Sequence, residues 1–171
     1  MSSFIISSEY AEQYQQMYRV AEYGIHGHKW ADKADQFLHS VGAASVLDYG
    51  AGQGTLSREL RNRGYEVTEF EPGIPEKATL PEQDFDTVVT TDALEHVEPE
   101  LVDNVLDYIK GHSGSLFAVI ATRTAVRRLP DGTNPHRTVK PGDWWVKQLE
   151  NRWNTVLVKS DNGKELWVEA S

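Results

Sequence analysis

The sequence predicts an α/β fold, a doubly wound and mostly parallel sheet that closes in a C-terminal antiparallel hairpin and is truncated at one edge. Three observations carry the prediction. An apolar strand runs straight into a glycine turn and then a helical pattern at Val46-Leu47-Asp48-Tyr49-Gly50-Ala51-Gly52-Gln53-Gly54-Thr55. Further β-branched runs alternate with helical stretches, the pattern of a sheet with helices on its faces. Asp161-Asn162-Gly163-Lys164 joins the last two extended segments, and Asn-Gly favours a tight hairpin turn. At 171 residues the chain has the length of one domain. The expected layout is a helical cap over 1–41 and a sheet core over 42–171.

The elements follow in order. Tyr10, Tyr14, Met17 and Tyr18 fall on one stripe at helical spacing, predicting a helix over 8–20. Trp30, Ala34, Phe37, Leu38 and Val41 predict a second over 30–41, with Tyr23 to Lys29 as a loop between them. These helices either pack on the sheet only or also cover a ligand mouth. Val46 begins the first strand, Leu56 and Leu60 mark a helix ending at Gly64, and a second strand spans Glu66 to Phe70 and stops at Glu71. Strand, glycine turn, helix, strand and terminal acid form the layout of a nucleoside-binding βαβ unit. Pro72 to Pro81 contains three prolines in ten residues, which forbids a useful helix and truncates that edge of the sheet. Asp86 to Thr91 reads as a buried strand, and Leu101, Val102, Val105, Leu106 and Ile109 as one face of a helix. A strand over Ser115 to Ala121, a polar loop over Arg127 to Gly142, and a helix capped by Asp143 that carries Trp145, Leu149 and Trp153 come next. Thr155 to Lys159 and Glu165 to Val168 form the hairpin.

Composition narrows the function. A hydrophobic content of 39% with 25% charged residues suits a soluble globular domain, and no apolar run approaches the ~20 residues of a membrane span. The start, Met1 to Ile6, has no basic region and too short an apolar segment for a secretory signal, so the cytoplasm is the expected compartment. The absence of cysteine removes disulfides, thiolate zinc sites and any cysteine nucleophile, and with it covalent cytosine C5-methylation. A net charge of −9 argues against a basic track for duplex DNA or RNA, while leaving room for one nucleotide or a chain end in a local pocket.

The glycine spacing is G-x-G-x-G, with Thr55 where a dinucleotide fold places its third glycine, and Asp48 stands two residues before Gly50. Here the chain resembles the class I S-adenosylmethionine-dependent methyltransferases, whose first motif, hydrophobic-hydrophobic-D-x-G-x-G-x-G, matches Val46 to Gly54 at every defined position. The resemblance implies a Rossmann-like methyltransferase fold with S-adenosylmethionine as cofactor. It assigns Asp48, Gly50, Ala51, Gly52, Gly54, Glu71 and Pro72 to cofactor binding, with Thr91 and Asp92 beside the methionyl part. Glu71 is expected on the ribose diol, and Pro72 and Ile74 are expected to close the adenine pocket in place of the usual acid. "LDYGAGQG", "EPGIP", "TDALEHVEP", "IATR" and "LPDGTNPH" also resemble a group of short bacterial and phage methyltransferase-like proteins. A degenerate fold that binds the cofactor or a nucleotide without turnover is the alternative. The run Thr91-Asp92-Ala93-Leu94 lacks the Asn/Asp/Ser-Pro-Pro-aromatic motif of DNA amino-methyltransferases.

A second constellation bears on the reaction. Asp92, Glu95 and His96 stand at i, i+3 and i+4, the spacing of one helical face, and His136 lies on a later loop. Two carboxylates and two imidazoles form a mixed oxygen and nitrogen donor set for a divalent cation. The acid-x-x-Glu-His run with a later histidine resembles the metal site of small-RNA 3′-terminal 2′-O-methyltransferases and ubiquinone-pathway O-methyltransferases, although the first ligand there is typically Glu. This resemblance implies Mg, Mn, Fe, Co or Zn at Asp92, Glu95, His96 and His136, with His136 or His96 taking a proton, and a hydroxyl acceptor on a small molecule, a sugar or a nucleotide or RNA end. The same residues also read as loop and cofactor support without a metal. His26, His28 and Lys29 reach either the ligand or solvent, and Arg123, Arg127 and Arg128 either bind an anionic acceptor or form a solvated patch. Of Trp144 and Trp145, helical phase places one in the core and leaves the other free to stack.

Overall fold

The computed structural model describes residues 5–20 and 23–171; the expectations for Met1 to Phe4 lie outside them. Six strands form one sheet in the order β2-β1-β3-β4-β6-β5. They are β1 Ser45–Tyr49, β2 Glu66–Phe70, β3 Thr87–Thr91, β4 Ser115–Ala121, β5 Val156–Asp161 and β6 Glu165–Ala170. The first four are parallel, and β6 pairs antiparallel with both β4 and β5. β1, β3 and β4 are buried nearly throughout because helices cover both faces, which explains their continuous apolar and β-branched runs. The strand order reverses between β1 and β3, the switch point where open α/β sheets bind ligands. Between Glu71 and β3 the described chain has only a short 3-10 turn, Pro75–Lys77, so β2 is the sheet edge and the expected truncation is present.

The helices are α1 Ser8–Val20, α2 Ala31–Ser40, α3 Thr55–Asn62, α4 Val102–His112 and α5 Gly142–Glu150. One core joins α1, α4 and α5 to one face of the sheet through Leu47, Leu106, Ile109, Leu116, Trp145 and Leu149. The other joins α2 and α3 to the opposite face through Phe37, Leu38, Leu56, Leu60 and Phe117.

Local expectations are corrected at the ends of α2 and at the start of α5. Trp30 is buried but ends a 3-10 turn, Gly27–Trp30, ahead of α2, and Val41 follows the helix as its C-cap and is exposed. Asp143 does not cap α5. Pro141 holds the cap position, because its fixed φ suits helix entry, and Asp143 accepts from the Trp144 amide inside the first turn. Trp145 is the core tryptophan, as helical phase requires, whereas Trp144 stands edge-on to it and is overlaid by Lys140.

Candidate active site

A cavity of about 380 Å³ opens at the carboxyl ends of β1, β3 and β4, within the range of small-ligand sites. Its floor is the glycine turn. Gly50 and Ala51 both donate to the Phe70 carbonyl, at 2.8 and 3.0 Å, which bends the chain sharply out of β1. Gly52 has a φ of 53°, and a Cβ there would lie 2.6 Å from the Gly24 carbonyl oxygen. That oxygen accepts from the Gln53 amide at 2.9 Å. Glycine at this position lets the segment before α2 lie on the turn. The Lys77 ammonium ties the turn from the other side, donating to the Gly52 carbonyl at 2.9 Å and pairing with Glu69 at 2.6 Å.

Of the residues expected at the cofactor, Asp48, Gly50, Ala51, Gly52, Glu71, Pro72, Thr91 and Asp92 line this cavity. Gly54 and Ile74 do not. Gly54 is the left-handed N-cap of α3 and lies against the Glu69 carboxylate, so its role is in the turn. Asp48 is buried at the start of the turn and accepts from the Ser57 hydroxyl at 2.7 Å. Burial raises its pKa to about 6, against the lowering effect of the Ser57 bond.

Glu71 is the organising acid. It is buried, and its carboxylate accepts the Gly52 amide at 3.1 Å on one oxygen and the Gly73 amide at 2.9 Å on the other. With the Tyr18 hydroxyl as a third donor, the carboxylate keeps one further lone pair. Burial raises its pKa, and the Gly73 amide, the Tyr18 hydroxyl and the Gly52 amide partly offset this. Tyr18 belongs to the stripe of α1, from which Tyr10, Tyr14 and Tyr18 all line the cavity. The helix seats closely because position 73 is glycine: a Cβ there would meet Tyr18 at 2.7 Å and Tyr14 at 2.8 Å. α1 thus packs on the core and walls the cavity at once.

The second constellation is only partly assembled. Asp92 does not share a helical face with Glu95 and His96: it has a φ of 52°, and the 3-10 turn starts two residues later at Leu94. The left-handed step aims Asp92 at Lys29, 3.4 Å away, which also pairs with Glu165 at 3.8 Å. Glu95, His96 and His136 do come together, each offering a ligand atom within 4.8 Å of the others. His136 Nδ1 is 2.5 Å from the Arg123 carbonyl oxygen, and His96 Nδ1 is 3.0 Å from that of Pro135. A carbonyl only accepts, so the His136 proton lies on Nδ1 and its Nε2 is left with a lone pair. The Tyr14 hydroxyl also meets His96 Nδ1, and Tyr10 donates to the Pro135 carbonyl.

Glu95 is fully buried, 3.9 Å from His136 Nε2, and neither of its oxygens makes a hydrogen bond of normal geometry. Burial and then the Asp92 charge push its pKa well above the usual carboxylate range, and nearby backbone amides offset this only in part. A buried carboxyl in that position is satisfied by a proton or by a cation. Burial, and next the neighbouring His136, lowers His96 to about 3, so its ring is neutral at working pH. His136 is lowered as well, first by burial.

Sequence reasoning missed three contributors. Gly24 clasps the glycine turn, and Lys77 fastens it. Asn134 pairs with Ala125 in both directions, its amide nitrogen donating to the Ala125 carbonyl at 3.0 Å and its oxygen accepting the Ala125 amide at 3.2 Å. The same oxygen accepts the His136 amide at 2.9 Å. Asn-Pro before the histidine was the available signal. His26 and Lys29 line the cavity with Arg123 and Arg127, whereas His28 and Arg128 do not.

Comparisons with known proteins agree with this architecture. A family profile described as "Methyltransferase domain" matches residues 19–159. No curated protein matches the chain. Among solved structures, the DhpI–SAH complex aligns with a TM-score of 0.67 at 18% identity, covering 96% of this chain and 98% of that one. A Burkholderia thailandensis 1,6-didemethyltoxoflavin-N1-methyltransferase, with its substrate and S-adenosylhomocysteine (SAH) bound, aligns at 0.66 and 15% identity, covering 94% and 87%. A glycopeptide N-methyltransferase complexed with sinefungin aligns at 0.57 and 17% identity, covering 82% and 85%. At these identities the likeness establishes the fold, and the matched profile establishes the family. The chain belongs to the class I S-adenosylmethionine-dependent methyltransferases.

Proposed function

We propose that this methyltransferase acts on a hydroxyl group of a small molecule, a sugar or a nucleotide, and that Glu95, His96 and His136 hold one divalent cation beside it. The cofactor supplies an activated methyl on a sulfonium. The chain's task is to orient the acceptor in line near ~3 Å and to remove its proton. Glu71, with a lone pair left beside the two amides and the Tyr18 hydroxyl, accepts from the ribose, while Asp48, Gly50, Ala51, Gly52, Pro72, Thr91 and Asp92 surround the rest of the cofactor.

The observation that carries the metal reading is the donor set itself: a buried carboxylate without a hydrogen bond facing two imidazoles. The His136 imidazole turns Nε2 toward Glu95 and donates from Nδ1 to the Arg123 carbonyl, which is how metal-binding histidines are oriented, and His96 Nδ1 lies 3.0 Å from the Pro135 carbonyl. Two imidazoles and one carboxylate suit Mn, Fe, Co or Zn on ligand softness, and Mg is admissible. A cation there lowers the pKa of an adjacent hydroxyl toward neutrality. Asp92, turned to Lys29, is left outside the ligand set. Elemental analysis of the purified protein, with turnover before and after chelation and on adding back single metals, tests the reading. One equivalent of metal lost in Glu95→Gln together with turnover is expected. Full turnover after chelation would contradict it and leave His136 as the base.

A further inference from the structure

We infer that Arg123 and Arg127 form an anion clamp at the acceptor end of the cavity, so that the acceptor carries a carboxylate, phosphate or phosphonate besides the hydroxyl that is methylated. The inference rests on the proposed function and deepens it by naming the acceptor's chemical class.

The charge distribution around the cavity is the first argument. Its lining contains four acidic side chains, of Asp48, Glu71, Asp92 and Glu165, and three basic ones, of Lys29, Arg123 and Arg127. Lys29 is shared by Asp92 and Glu165. Asp48 and Glu71 sit at the cofactor end and are held by Ser57 and by backbone amides. Among the described residues neither Arg123 nor Arg127 has an acidic partner, in a protein of net charge −9. The stretch from Arg123 to Leu129 contains no acid and has a third arginine, Arg128. Arg123 donates to the Thr124 carbonyl at 3.4 Å, and guanidinium groups without an acidic partner at the wall of a cavity are the fork-shaped donors that oxyanions select.

The second argument is that the loop is built rather than loose. Asn134 holds Ala125, midway between the two arginines, by hydrogen bonds in both directions, and the same side chain holds the amide of His136. The Arg123 carbonyl in turn receives the His136 Nδ1 proton. The backbone that carries the arginines and the ring that faces Glu95 therefore share one scaffold. An acceptor anchored by its anion on this loop presents its other end to the imidazole pair.

The cofactor's own methionyl carboxylate is the other possible source of the anion, and the test separates the two. Inorganic phosphate is titrated by calorimetry into the protein saturated with SAH, for the wild type and for Arg123→Gln/Arg127→Gln, and SAH is titrated into each protein alone. The clamp predicts that phosphate binds the wild-type complex and that the double variant weakens it at least tenfold, with SAH affinity within threefold of wild type. A variant that loses SAH affinity tenfold while phosphate binding persists would assign the arginines to the cofactor and overturn the inference. Absence of phosphate binding to the wild-type complex would overturn it too. Metal content, measured in parallel, keeps the readings apart: phosphate binding by a protein that never takes up a divalent ion sinks the metal proposal and leaves the clamp standing.

Discussion

Replacing Glu71 by glutamine tests the cofactor end at its most specific point. In the free protein the carboxylate already accepts two backbone amides, at 3.1 and 2.9 Å, and the Tyr18 hydroxyl, which leaves one lone pair for the cavity. Glutamine keeps the shape but turns one acceptor into an amide donor, which then opposes either the Gly52 or the Gly73 amide and cannot accept from a ribose hydroxyl. Hydrogen bonds to a charged group contribute about 1.5–3 kcal/mol, which converts to a loss of SAH affinity of roughly 12- to 150-fold. Calorimetry at pH 7.5 measures this directly. The displaced amide costs stability as well, about 1–3 kcal/mol, so the melting temperature should fall by several degrees and binding must be read well below it. Because burial raises the Glu71 pKa, wild-type affinity should weaken as the solution is acidified toward that pKa and the acceptor is protonated, whereas the variant should show no such dependence. A folded Glu71→Gln protein that binds SAH within threefold of wild type at pH 7.5 would show that the ribose is held elsewhere.

Three further outcomes follow from the geometry. Asp48→Asn should raise stability at neutral pH: the folded-state pKa of about 6 lies above the unfolded value near 3.8, so the stabilising proton is fully bound below about 3.8 and lost as pH rises through 6. The gain is on the order of 2–3 kcal/mol above pH 6 and vanishes near pH 4 in urea titrations, and a pH-independent difference would refute it. Gly52→Ala should destabilise by about 1–3 kcal/mol, because it combines a left-handed backbone with a Cβ 2.6 Å from the Gly24 carbonyl oxygen, and an unchanged denaturation midpoint would contradict that contact. Asn134→Ala should lower turnover while leaving SAH affinity unchanged, since it frees the loop bearing His136 and not the glycine turn; a loss confined to SAH binding would place the loop wrongly.

The half of the cavity around the glycine turn was legible in the sequence because local rules govern it. The apolar run of β1, the glycines and the acid ending β2 are fixed by backbone geometry over about 25 residues, so spacing alone carried them. The same holds for the truncated edge, where Pro72, Pro75 and Pro81 exclude a helix. The half around His96 and His136 was legible only in composition. Asp92, Glu95 and His96 have helical spacing, yet a left-handed backbone at Asp92 swings one of them to Lys29, a partner 63 positions away that no periodicity reveals. The pairing of Glu95 with His136 spans 41 positions and depends on the Asn134 scaffold, which reads in sequence as an ordinary turn. Gly24 likewise looked like loop punctuation, because its role is fixed by a tertiary contact with Gly52.

The most direct test of the account is a crystal structure of the SAH complex grown with Mn(II), read by anomalous scattering. The account predicts the ribose hydroxyls on Glu71 and a single manganese peak bonded at about 2.1 Å to Glu95 and to Nε2 of His96 and His136, with Asp92 still turned to Lys29. A SAH complex in which Glu95 and the two imidazoles enclose no ion and point apart would contradict the proposed chemistry, and a ribose placed away from Glu71 would contradict the site itself.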